Sequence, residues 1–125
     1  MKPLVVPFLL AAGSIAGCQN HFEAITAPPP GLTASLDDQS KSIRLSRGVS
    51  IAFSCGSQEG DPCGRTSSTR NASTARIFPA ALDDLTEWGY LHGPQPQAVF
   101  VVVGIAEGNT SVQAGDDSLS VTVLP

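Results

Sequence analysis

Hydrophobic and polar residues alternate along much of this chain with the period of two that marks a half-buried β-strand. Ile43 and Leu45 alternate with Ser42, Arg44 and Ser46. Arg47-Gly48 then reads as a turn. Beyond it Val49, Ile51, Phe53 and Cys55 fall on one face, with Ser50, Ala52 and Ser54 on the other. This is the cleanest alternation in the sequence, and it carries Cys55 inward at its end. Further on, Ala98 to Ile105 is nearly continuous in strand-forming apolar residues, as a central strand covered on both faces would be. Glu107-Gly108-Asn109 reads as a turn after which Thr110 to Ala114 pairs back. Gly115-Asp116-Asp117 turns again, and Leu119, Val121 and Val123 alternate to the end.

The middle of the chain is less regular. Gly56 to Gly64 is a loop rich in turn-forming residues, and Arg65 to Thr74 is loop or edge strand. Ala75 to Phe78 predicts a brief strand before Pro79. Ala80 to Glu87 predicts one helical turn, with Leu82 and Leu85 three apart. Trp88, Tyr90 and Leu91 precede the breaker cluster Gly93-Pro94-Gln95-Pro96. With no longer helix expected, short strands and close turns predict an all-β chain folded as an antiparallel sandwich.

A different pattern occupies the start. Met1-Lys2 is followed by an apolar run from Leu4 to Ala12 and then by small residues ending at Cys18. The run is shorter than the roughly 20 residues needed to cross a bilayer, and Pro7 would weaken a helix there. The layout is that of a secretory signal with a small-residue cleavage site. Its end, Ile15-Ala16-Gly17-Cys18, resembles the bacterial lipobox: an aliphatic residue, two small residues and a cysteine. That resemblance implies cleavage before Cys18, a diacylglyceryl group on its sulfur and usually acylation of the new amine. Membrane lipid would then be the first partner, because two or three acyl chains anchor stably where one holds marginally. Gln19 after the cysteine implies sorting to the outer membrane of the bacterial envelope.

Composition fits such a product. Removing residues 1–17 leaves 108 residues, enough for one domain. It also leaves six basic against eleven acidic side chains, a net charge of −5. That balance argues against nucleic acid as a partner. Residues 18–31, with Pro28-Pro29-Pro30, are expected to form a lipidated N-terminus and an extended tether of at most about 40 Å. Ile25 offers an alternative start to the first strand. Residues 32–125 make the sandwich domain.

With Cys18 lipidated, Cys55 and Cys63 remain as a pair in an oxidising compartment, and a disulfide is expected between them. A metal site would need more ligands: His21 and His92 are distant in sequence and no Cys-x-x-Cys spacing occurs.

A second resemblance rests on Val101-Val102-Val103-Gly104-Ile105-Ala106-Glu107-Gly108-Asn109-Thr110-Ser111-Val112-Gln113-Ala114 and the closing Val121-Thr122-Val123. This stretch is similar to the last hairpin and terminal strand of bacterial immunoglobulin-like domains. Ser42 to Phe53, with Gly48 between two alternating strands, is similar to their opening. The resemblance covers about half of the chain after Cys18 and implies an immunoglobulin-like sandwich without shared catalytic residues. The Cys55–Cys63 loop and the Trp88 segment depart from the usual pattern.

Candidate chemistry is sparse. Asp83, Asp84 and Glu87 form an acidic cluster whose spacing matches no calcium loop. Glu59, Asp61 and Glu87 supply carboxylates without any sign of a glycosidase pair. No G-x-S-x-G elbow accompanies the serines, and His92 sits beside Gly93-Pro94. Asn71-Ala72-Ser73 and Asn109-Thr110-Ser111 match glycosylation sequons that have no meaning behind a bacterial lipobox. Trp88 is read as core in preference to binding surface. The expected product is therefore an anchored, non-catalytic interaction module without cofactor or metal. Its recognition surface is expected in the Gly56–Gly64 loop and the Trp88–Pro96 segment, with an envelope protein or glycan as partner. An inhibitor or accessory subunit, or a small wall hydrolase, are the other classes left open.

Overall fold

A computed structural model of the chain describes residues 20–57, 63–80 and 98–125. The described residues form nine strands: β1 (Asn20–Ala24), β2 (Ala34–Asp37), β3 (Ser42–Ser46), β4 (Ser50–Ser57), β5 (Ser67–Thr69), β6 (Ala75–Ala80), β7 (Ala98–Gly104), β8 (Gly108–Ala114) and β9 (Asp117–Leu124). They build two sheets, a four-stranded one ordered β1-β4-β7-β6 and a five-stranded one ordered β2-β3-β9-β8-β5. Among them there is no helix, and the fold is the all-β sandwich that the alternation predicts. Neighbouring strands run antiparallel except β3 and β9, which are parallel with Ile43 beside Val121.

The alternating faces become the core. Ile43 and Leu45 of β3, and Ile51, Phe53 and Cys55 of β4, are fully buried. Phe53 lies at the centre, its ring 5.7 Å from Phe22 in an edge-to-face contact and 5.9 Å from Phe100. From the five-stranded sheet, Val112, Ala114, Leu119, Val121 and Val123 close against them. The expected central strand is central: β7 is paired on both sides, by β4 and β6. The Ala75 strand extends through Pro79, which is tolerated because β6 is a sheet edge and loses no ladder bond there. Ser67–Thr69 is the edge strand allowed within the polar stretch.

Two expectations change. Residues 20–24, expected within the tether, form β1, paired with β4 from Asn20 opposite Ser57 to Ala24 opposite Phe53. Their lone buried side chain, Phe22, packs against Phe53, and that burial repays ordering a largely polar segment. The other change concerns Thr110–Ala114, which does not pair back on Ala98–Gly104. β8 lies in the opposite sheet, between β9 and β5. The crossing begins at Gly104, where a Cβ would meet Val123 at 3.2 Å and the Ser46 carbonyl oxygen at 3.3 Å. Past this close approach Ile105 and Ala106 donate to the Thr74 carbonyl, and the chain has changed layers. Crossing sets the buried face of β8 against that of β7, an apolar contact that a hairpin within one sheet would forgo.

Candidate functional site

One end of the sandwich gathers most of the chemistry. The β2–β3 turn carries Asp38 and Lys41, and the first residues of β1 lie against it although they belong to the other sheet. Asp38 Oδ1 accepts from the Phe22 backbone N–H at 2.8 Å and from Lys41 Nζ at 2.8 Å. Its Oδ2 lies 3.1 Å from His21 Nδ1. Lys41 Nζ also donates to the Asn20 carbonyl at 2.7 Å and sits 4.9 Å from the centre of the Phe22 ring. Lys41 reaches these partners with φ at 53°, a region that non-glycine residues seldom occupy. Burial pushes the Asp38 carboxyl up. The Lys41 hydrogen bond, the Phe22 amide, His21 and the Lys41 charge together outweigh it, lowering the pKa from 3.8 to about 2. With its lone pairs occupied in this way, Asp38 clasps the two sheets together. The sequence reading missed it because two of its partners, Phe22 and His21, are 16 and 17 residues away.

The same end holds Cys55 and Cys63, joined in a disulfide with Cα atoms 5.6 Å apart. The Cys63 amide also donates to the Cys55 carbonyl. The β8–β9 turn packs on this staple through Gly115, whose φ is +63° and whose absent Cβ would come within 3.0 Å of the Gly64 carbonyl. Ser57, Cys63, Ala80 and Ala98, the described residues flanking 58–62 and 81–97, all lie at this end. Residues 58–62 and 88–96 of the expected recognition surface lie outside the described residues.

The outer faces of the two sheets differ in kind. On the five-stranded sheet, Ser35, Arg44, Gln113 and Ser120 stand exposed. On the four-stranded sheet, a row runs Phe78–Val101–Ala52 across three strands. Phe78 is 47% exposed, while Val101 and Ala52 are half-buried. An open cleft continues that row beneath the Pro-rich loop, between Pro29 and Leu32 on one side and Ala52 and Val101 on the other.

Cys18, Glu59, Asp61, Asp83, Asp84, Glu87, Trp88, Tyr90 and His92 lie outside the described residues. His21, which falls in the stretch expected to be tether, is part of the clasp. The two sequon asparagines brace local structure: Asn71 Oδ1 accepts from the Ser73 amide and Asn109 Oδ1 from the Thr122 hydroxyl. Among the described residues no group of three His, Cys, Asp or Glu is placed to hold a metal.

No family model matches the chain, and no curated protein is similar to it. Among solved structures, the chain is similar to domains 4 and 5 of the S-layer protein SbsC. The identity is 19% and the TM-score 0.43, over 79% of this chain and 54% of that one. It is also similar to the S-layer protein rSbsC(31-844), at 19% identity and a TM-score of 0.42, over 78% of this chain and 13% of that one.

Proposed function

We propose that this chain is a bacterial envelope lipoprotein, anchored through acylated Cys18, whose immunoglobulin-like sandwich is a non-catalytic interaction module. The anchor reading is supported by the Ile15-Ala16-Gly17-Cys18 motif at the close of a signal-like apolar run. The interaction reading is carried by the unequal outer faces. A solvated sheet face ordinarily reads polar, as the five-stranded sheet does, whereas the Phe78–Val101–Ala52 row and its cleft leave apolar surface toward solvent. Surfaces of this composition take an apolar partner surface, here an envelope protein meeting the four-stranded sheet.

Crosslinking in intact cells, followed by purification of the lipidated protein and mass spectrometry, tests this. The expected result is one dominant protein partner whose yield collapses in Phe78→Asp, an exposed position where the substitution leaves the core untouched. The same partner at undiminished yield from Phe78→Asp would remove the sheet face as the contact. Recovery with glycan in place of protein would replace the partner class.

A further inference from the structure

We propose that the end of the sandwich bearing the Asp38 clasp and the disulfide rests on the bilayer, and that the opposite end points away from it. The inference deepens the anchor reading and rests on acylation of Cys18. Its ground is the position of β1. The first described strand begins at Asn20, so only the step from Cys18 through Gln19 separates the lipid attachment from a folded sheet. Two residue steps reach at most about 7 Å.

The start of β1 is itself fixed. The Asn20 carbonyl is held by Lys41 and the Phe22 amide by Asp38, while Asn20 pairs with Ser57. These contacts hold the strand at its first residues and oppose the fraying that would lengthen the leash. The tether of at most about 40 Å expected from residues 18–31 therefore shrinks to a fraction of that length. The described residues gathered at this end are drawn to the lipid with it: the 38–41 turn, the Cys55–Cys63 staple and the Gly115-Asp116 turn. Gly31, Gly48 and Glu107 stand at the other end, separated by the eight residues of β4, about 25 Å of strand.

Charge does not supply the contact. Among the described residues, Asp37, Asp38, Asp116 and Asp117 at this end outnumber Lys41 and Arg65, and an acidic surface is not drawn to anionic headgroups. The covalent leash imposes the orientation, and the four-stranded face is left standing beside the bilayer, open to a partner in the same membrane.

The test uses the full lipidated protein in phosphatidylethanolamine–phosphatidylglycerol vesicles that contain a headgroup-labelled quencher lipid. A fluorophore is placed singly through Ser40→Cys or Asp116→Cys at the near end, and through Arg47→Cys or Ala106→Cys at the far end; all four positions are exposed. Several-fold stronger quenching at 40 and 116 than at 47 and 106 is expected. A long Gly-Ser insertion between Gln19 and Asn20 should erase the difference. Equal quenching at both ends in anchored protein, or an insertion without effect, would overturn the orientation while leaving the anchor intact. Failure of the wild-type protein to bind vesicles, with an unacylated Cys18 by intact mass, would overturn the anchor reading itself. Vesicle binding by Cys18→Ser would overturn the claim that the leash alone imposes the contact.

Discussion

Asp38 illustrates how a single partly exposed carboxylate can hold two layers together. It stands 34% exposed, so water screens its ion pair with Lys41 and the pair by itself contributes little. Most of its effect lies in the amide of Phe22, which loses its carboxylate acceptor if Asp38 is removed, whereas Lys41 keeps the Asn20 carbonyl. Asp38→Ala is expected to lower stability at neutral pH by about 1–2 kcal/mol, as read from urea unfolding. The same group gives a pH signature. Its folded pKa is about 2 against the usual 3.8, so its stabilisation is complete above about pH 4 and fades as pH falls toward 2. Unfolding curves through that window should show the wild type losing more stability than Asp38→Ala. Parallel losses would mean that Asp38 is not the titrating clasp.

Strands whose sequence alternates were legible, and their partners were not. Ile43 to Cys55 announces two strands because each buried position is spaced by two from the next. Asn20–Ala24 carries one buried apolar residue, too little for a pattern, and becomes a strand through Phe53, far along the chain. The break between β7 and β8 was hidden for a similar reason. A Gly-bounded turn looks the same in sequence whether the chain folds back or crosses to the other sheet, and only the close packing of Gly104 on Val123 decides it. Of the candidate site, the cysteine pair was legible because only two cysteines remain after Cys18. The clasp was not, since Asp38 looks like any turn aspartate until β1 is placed beside it. The disulfide closes a short loop at the end of β4, and chain entropy assigns it about 2.5 kcal/mol. Non-reducing peptide mapping should recover Cys55 and Cys63 joined, and reduction should lower the unfolding free energy read from urea titration by that amount. Two free thiols in the mature protein would refute the pairing.

For the molecule as a whole, the first consequence of the proposed anchor is location. Cys18→Ser should move the protein from the membrane to the soluble fraction without changing its urea midpoint, since residue 18 precedes every described strand. Continued membrane retention would sink the anchor. A second consequence comes from the strand order. The last strand in sequence is the middle strand of its sheet, with β3 on one side and β8 on the other. A chain delivered N-terminus first through a translocase therefore lacks the centre of the five-stranded layer until Asp117–Leu124 has emerged. Until then Ile43, Leu45 and Val112 have no completed layer to share. On the proposed export route, the five-stranded layer would close only after that strand has passed.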